Sequence, residues 1–269
     1  MSETIGTSGT TYHPFIESHP DASRAELRAT MEEYGYLFFR GLVPAQDILD
    51  VRHDVLEILS GAGWLDPSRD VMDGIAAPGI EPKTEGHPEY TAVYRKVLRL
   101  PRFHAFPDHP ALLAVARKLL DGEILTHPRR IGRITFPGSG KWATPAHQDY
   151  FYIRGSVETY SCWTPLGDCP MALGSLAVWP GSHKQGFIEH TKSHVGAIGG
   201  RGVPVDESKA EWHTSDFRQG DTLFFRSYTI HKALPNLSQE RLRISTDNRY
   251  QQQADIIDPA ALKPHFSEN

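Results

Sequence analysis

Residues 220–231 read Gly220-Asp221-Thr222-Leu223-Phe224-Phe225-Arg226-Ser227-Tyr228-Thr229-Ile230-His231, an apolar run entered through a Gly-Asp turn and closed by a histidine. Its β-branched and aromatic residues predict a strand running into a core, with His231 at its mouth. Runs of the same kind recur at 130–136, 147–154, 159–166, 175–179 and 241–250, punctuated by Gly, Pro, Asn and Asp. Short strands at that spacing, without helical periods between them, predict an antiparallel sandwich or barrel. Before residue 122 the texture differs. Residues 23–34, 44–60 and 110–120 carry apolar residues at helical spacing, the second with Pro44 near a first turn and Gly61 near a C-cap, while Tyr36-Leu37-Phe38-Phe39 reads as a short strand. The predicted fold is mainly β with supporting α-helices, a jelly roll of the double-stranded β-helix, cupin-like kind. It forms one domain over 1–269, with helical support over 1–121 and the β core over 122–255. Segments 61–92 and 184–213 fit neither pattern and are expected to be lids or binding loops.

Composition bounds the function. A chain of 269 residues buries a core without help from disulfides or structural metals. The net charge of −5, with no Lys/Arg cluster, argues against nucleic acid as a partner, because phosphate contacts need a dense positive field. Mean hydropathy is −0.42 and no apolar run approaches membrane-spanning length, so no membrane partner is expected. The N-terminal MSETIGTSGTTYHPF lacks the basic and apolar blocks of a secretory signal; it is expected to be a polar, frayed leader on a cytoplasmic protein. Cys162 and Cys169 lie in no metal or redox motif and are expected to be structural thiols. Oligomeric state has no signature in the chain.

Ala146-His147-Gln148-Asp149-Tyr150 carries the strongest chemical signal. On a strand, His147 and Asp149 project from one face, and an imidazole nitrogen and a carboxylate oxygen can reach a common ion. His231 supplies a third donor if the intervening strands return it across the jelly roll. Two His and one carboxylate leave half of an octahedral sphere open, the facial triad of non-haem Fe(II) oxygenases. Downstream stand Arg241 and Arg243, whose guanidinium forks suit a dicarboxylate co-substrate that also chelates the metal, such as 2-oxoglutarate. Alternation alone would bury Leu242, Ile244 and Thr246 and leave Arg241, Arg243, Ser245, Asp247 and Arg249 in water. Two rival readings use the same residues: a non-catalytic jelly-roll binding protein, and a cupin-like Zn(II) or Mn(II) enzyme without a keto acid.

The chain resembles the phytanoyl-CoA dioxygenase-like branch of the Fe(II)/2-oxoglutarate oxygenases over most of its length. The likeness runs from Glu33-Tyr34-Gly35-Tyr36 through His147-Gln148-Asp149, Trp163-Thr164-Pro165-Leu166-Gly167-Asp168 and Gly174-Ser175-Leu176-Ala177-Val178-Trp179-Pro180-Gly181-Ser182-His183. It ends at Gly220-Asp221-Thr222, His231, Pro235-Asn236 and Arg241-Leu242-Arg243-Ile244-Ser245. The resemblance implies Fe(II) on His147, Asp149 and His231, with 2-oxoglutarate and O2 as co-substrates and a small-molecule C–H bond hydroxylated with release of succinate and CO2. An Arg-x-x-Ile-Ser pattern points to Arg241 as anchor of the distal carboxylate of 2-oxoglutarate, whereas Arg243 heads an Arg-x-Ser pair with Ser245 used for the same purpose, so both stand. Trp163 is implied beside the co-substrate, and the arginine-bearing face is implied to look into the barrel. Retention of Asp149 implies hydroxylation over halogenation. No basic, glycine-rich patch suggests a CoA ester.

Weaker signals complete the reading. Tyr150, Tyr152, Trp142, Arg130 and Arg133 are pocket candidates, half of which should face away by parity, while His183 and Asn236 are expected in structural turns. His190 and His194 lack the Glu of a zinc peptidase motif. The glycines at 196–202 follow no strand into a helix, and no Gly-x-Ser-x-Gly elbow occurs.

Overall fold

A computed structural model describes residues 10–192, 200–207 and 209–265. Strand β1 (Thr11–His13) precedes helix α1 (Arg24–Tyr34), β2 (Tyr36–Phe39), α2 (Ala45–Gly61), α3 (Pro88–Val97), α4 (Pro101–Ala105) and α5 (Pro110–Leu119). Then come β3 (Ile124–Thr126), β4 (Ile131–Thr135), the short α6 (Tyr150–Ile153), β5 (Tyr160–Pro165), β6 (Leu176–Val178), β7 (Thr191–Lys192) and β8 (Arg201–Gly202). The described chain closes with β9 (Glu211–His213), β10 (Thr222–Arg226), β11 (His231–Ala233) and β12 (Arg243–Gln252). One sheet runs β2-β10-β5-β12-β3 with β4 also on β12; the other runs β1-β9-β6-β11. Two facing sheets backed by helices form the jelly roll.

Local chemistry explains the helical part. Ser23 caps α1 in a reciprocal box with Glu26, and Gly35 ends it at φ 77°, a left-handed conformation that L side chains resist. Helix α2 turns Ile48, Val51, Val55, Leu56 and Leu59 onto the outer face of the larger sheet. Each such burial stabilises the fold by roughly 1.5–3 kcal/mol. Leu37, Phe39, Cys162, Phe224, Ile244 and Tyr250 meet them from the sheet. The inner face carries a separate core, in which Tyr36, Phe38, Trp163, Leu223 and Phe225 meet Leu176 and Val178 of the smaller sheet.

Strand β12 resolves the alternation problem. Opposed residues on paired strands share a face. Asp247 pairs with Trp163 and Arg249 with Ser161, so the Arg243, Ser245, Asp247 and Arg249 face looks into the barrel. Leu242 and Ile244 pack outward under the helices. Both faces of this strand are buried, which is why polar-out patterning misjudges it.

Several boundaries differ from expectation. Residues 147–154 do not form a strand: His147 makes an isolated bridge and the chain enters α6 directly. The run 220–230 ends as a strand at Arg226; a turn follows, and His231 opens β11 in the opposite sheet. The tail of the leader is ordered, with β1 pairing in parallel with β9 and Phe15 buried, while residues 1–9 lie outside the described residues. Segment 61–92 sends Trp64, Leu65, Ala76 and Tyr90 into the core and ends in α3, which the periodicity reading missed. Within 184–213, β7 pairs with β8; His194, Gly196 and Gly199 lie outside the described residues.

Candidate active site

The two histidines are joined through their backbones. His147 N–H donates to the His231 carbonyl and His231 N–H to the His147 carbonyl, both at 3.0 Å. This antiparallel pair sets the imidazole centroids 4.1 Å apart. The sequence separation of His231 from His147 is thus erased by one bridge between β11 and the loop before α6. Gln148 fixes that loop: its buried amide donates to the Gly186 and Tyr228 carbonyls and accepts from Ile188 N–H, each at 2.8 Å. His190 accepts from Gln148 N–H at 3.0 Å, so it orients the loop and is no rival metal ligand.

Asp149 follows in right-handed helical conformation, φ −61° and ψ −28°. Its Oδ1 stands 3.6 Å from His147 Nε2 and 3.8 Å from His231 Nε2. All three donor atoms lie within 4.8 Å of one another, and all three residues are buried. Cis donors on an ion with bonds of about 2.1 Å stand roughly 3 Å apart, so small side-chain movements complete the shell.

The hydrogen bonds around the triad fit a divalent ion. His147 Nδ1 lies 2.8 Å from the Pro145 carbonyl and His231 Nδ1 lies 3.0 Å from the Thr229 carbonyl. A carbonyl only accepts, so each Nδ1 carries the hydrogen and each Nε2 keeps a lone pair turned toward Asp149. Burial pushes His231 down to about 3, keeping it neutral. Burial opposes ionisation of Asp149, but the Arg249 guanidinium leads the interactions that outweigh it and hold the carboxyl well below its usual range. Asp149 Oδ2 accepts from Ser161 Oγ and, at 3.1 Å, from Arg249 Nη2. One carboxylate oxygen is thereby braced and the other left for a metal.

Two adjoining spaces open beside these residues. One of about 90 Å³ is bounded by His147, Asp149, Tyr152 and Arg249, and one of about 50 Å³ by Trp142, Thr135 and Arg243; Arg133 and Thr144 line both. Arg133 lies 2.8 Å from Glu85 and 2.9 Å from Asp247. Burial alone would disfavour its charge, but the two carboxylates outweigh that and raise its pKa. Burial also lifts Glu85, so the guanidinium is the group that keeps its proton in this pair.

The two candidate arginines differ. Arg243 is buried and donates from Nη1 to Ser245 Oγ at 2.7 Å; its Nε has no partner among the described residues. Its guanidinium carbon lies 6.0 Å from the Trp163 ring centre. Arg241 is exposed, and its carbonyl is held by Asn236 Nδ2 at 2.9 Å. The Arg-x-x-Ile-Ser pattern therefore points to a side chain outside the barrel. The physical reason is the start of β12: Arg241 makes only an isolated bridge to Ile75, and the inward face begins at Arg243.

Among the weaker candidates, Tyr152, Trp142 and Arg133 line the spaces. Tyr150 turns to Tyr228 and Phe187, and Arg130 to Asp108 and the His104 carbonyl. His183 donates to the Glu32 carbonyl at 3.0 Å. Sequence reasoning missed Glu85, His127, Arg129, Thr144, Ala261 and His265. Arg249 could have been found, since it shares the parity of Arg243.

Comparison with known proteins adds identity to this geometry. The phytanoyl-CoA dioxygenase (PhyH) family profile matches residues 31–245. The 1-deoxypentalenic acid 11-beta-hydroxylase of Streptomyces exfoliatus is 28% identical over 239 residues, 85% of this chain and 81% of that protein. The human peroxisomal phytanoyl-CoA dioxygenase is 26% identical over 227 residues, 80% of this chain and 64% of that protein. Among solved structures, the epimerase SnoN in complex with Fe3+, alpha ketoglutarate and nogalamycin RO superposes with a TM-score of 0.61 at 19% identity, covering 88% of this chain and 86% of SnoN. The carbocyclase SnoK gives a TM-score of 0.60 at 17% identity, with coverage of 91% and 90%. These structures share the fold. No described helix is long and apolar enough to cross a membrane. The chain belongs to the phytanoyl-CoA dioxygenase family and is a dioxygenase dependent on Fe(II) and 2-oxoglutarate.

Proposed function

We propose that this dioxygenase hydroxylates a C–H bond of a small-molecule substrate, with the metal on His147 Nε2, Asp149 Oδ1 and His231 Nε2. The convergence of those three buried donors within 4.8 Å carries the reading. Bound Fe(II), 2-oxoglutarate and O2 supply the oxidant, and succinate and CO2 leave as co-products. The protein positions and shields. The Pro145 and Thr229 carbonyls hold both imidazoles with Nε2 presented, and Ser161 and Arg249 hold Asp149 Oδ2 so that Oδ1 stays aimed.

Arg243 anchors the distal carboxylate of 2-oxoglutarate, supported by its burial, its inward face and its unpartnered Nε. Ser245 sets the guanidinium at 2.7 Å, and Trp163 walls its other side. Arg241 has no part in this, being exposed. The stretch around Lys83–Glu85, which lines the smaller space, serves as the lid portion of 61–92, with Glu85 latched to Arg133 at 2.8 Å. Two buried free thiols, Cys162 and Cys169, suit a reducing cytoplasm.

The test is anaerobic addition of 2-oxoglutarate to the Fe(II)-loaded protein, followed by O2 and succinate assay, in the native chain and in Asp149→Ala. The native chain should give a 2-oxoglutarate-dependent visible band and succinate, and the variant neither. Equal succinate from both would overturn the ligand set, and absence of a band in the native chain would favour a metal enzyme that uses no keto acid.

A further inference from the structure

Resting on the reading above, we infer that the space beside the metal is a subsite for a small organic anion, a carboxylate on a compact apolar body, and that Arg249 receives the anionic group. Arg249 is 5% exposed and lines this space of about 90 Å³. Its Nη2 is committed to Asp149 Oδ2, while Nε and Nη1 have no partner among the described residues. A buried guanidinium with two unpartnered nitrogens loses the bonds it makes in water, and an anion restores them.

The surroundings specify which anion. Ile131, Ile153 and Ala261 give the space an apolar side, and Arg129 and His127 add to its polar one. Of the cationic groups here, Arg133 is already matched by Glu85 and Asp247, and Arg243 faces the smaller space. Arg129 donates to the Ala260 and Lys263 carbonyls, and the Asp258 carboxylate offsets part of its charge. The unpartnered Arg249 nitrogens therefore stand beside an apolar wall, and a carboxylate with a short hydrocarbon body complements both. The metal would then face the body of such a molecule rather than its charged end.

The far wall comes from the C-terminal end of the described chain. Pro259–Leu262 and His265 follow β12; Ala261 is 3% exposed, and His265 Nδ1 lies 2.8 Å from Tyr94 Oη. Arg249, Ala261 and His265 all lie beyond residue 245, where the match to the family ends. A C-terminal segment after β12 thus shapes the substrate's side of the site.

Binding to a redox-silent complex tests this without turnover. The protein is loaded with Zn(II) and N-oxalylglycine, a non-reacting stand-in for 2-oxoglutarate, and titrated by calorimetry with cyclopentanecarboxylate, its neutral carboxamide and cyclopentylphosphonate. The native chain is expected to prefer the carboxylate over the carboxamide by about ten- to a hundredfold, the range for hydrogen bonds to a charged group. Arg249→Gln is expected to bring that ratio near one, and Arg249→Lys to keep part of it. Each ratio is internal to one protein, so changes in metal affinity cancel. A native ratio near one, an undiminished ratio in Arg249→Gln, or tighter binding of the phosphonate would overturn the assignment. A ratio near one would follow if the keto-acid analogue already occupies Arg249. Failure of N-oxalylglycine itself to bind the native Zn(II) protein would instead bring down the dioxygenase site assignment, and this inference with it.

Discussion

Replacing Arg243 by Gln separates two arginines that are close neighbours in the chain and opposite in exposure. The side chain is buried, held by Ser245 at 2.7 Å, with Nε unpartnered among the described residues. If it grips the distal carboxylate of 2-oxoglutarate through two charge-assisted hydrogen bonds of about 1.5–3 kcal/mol each, its loss costs at least about 3 kcal/mol. That corresponds to a rise of more than about a hundredfold in the 2-oxoglutarate dissociation constant. The ligand-free protein should lose little. The bond to Ser245, from a charged group, is worth about 1.5–3 kcal/mol, and removing a buried, incompletely bonded charge offsets it. The measurement is calorimetric titration of 2-oxoglutarate into Zn(II)-loaded native, Arg243→Gln and Arg241→Gln proteins, with thermal unfolding of each in parallel. Arg241→Gln is expected to stay within about twofold, because the side chain is exposed. Loss of affinity in Arg241→Gln together with retention in Arg243→Gln would refute the reasoning from strand parity.

Further outcomes follow from the same geometry. Ser161→Ala, which frees Asp149 Oδ2 of its hydroxyl partner, is expected to weaken Fe(II) binding about tenfold or more, read by competition with a chelating dye. Trp64→Ala is expected to lower the unfolding free energy by about 3–5 kcal/mol in denaturant titration, because the indole sits in the core against Tyr90 and Phe136; a loss under about 1 kcal/mol would restore 61–92 as a free flap. Acid should also weaken the fold through His127, which burial holds down to about 4, with Arg249 adding and the Gln251 bond opposing. The unfolded chain takes up that proton near pH 6.5 and the folded one only near 4, so stability falls as pH drops through this window. The loss reaches on the order of 3 kcal/mol. In His127→Gln, unfolding measured from pH 7 to pH 4.5 should show a shallower slope.

The fold was legible where one period governs a segment. Helices α1, α2 and α5 bury a single stripe, and β4, β5, β6 and β10 announce themselves by β-branched and aromatic residues between turn formers. Legibility failed where two surfaces are covered at once. Strand β12 hides its apolar face under helices and its charged face in the barrel, so alternation gives the right strand with the wrong environment for the arginines. The His147–Asp149 pair was legible as chemistry but not as structure, since the donors converge through a bridge and a helical turn. Trp64 and Tyr90 were hidden by the Gly, Pro and acidic residues around them, although both are deeply buried. Glu85 and the 259–265 segment carry no local motif. They reach the site only through tertiary packing, which spacing cannot report.

The most direct test is a crystal of the native protein soaked anaerobically with Fe(II) and 2-oxoglutarate, with anomalous diffraction collected at the iron edge. The account predicts one iron peak about 2.0–2.2 Å from His147 Nε2, Asp149 Oδ1 and His231 Nε2, with the far carboxylate of the keto acid on Arg243. An iron peak lacking any of those three ligands, or a keto acid seated on Arg241, would contradict it.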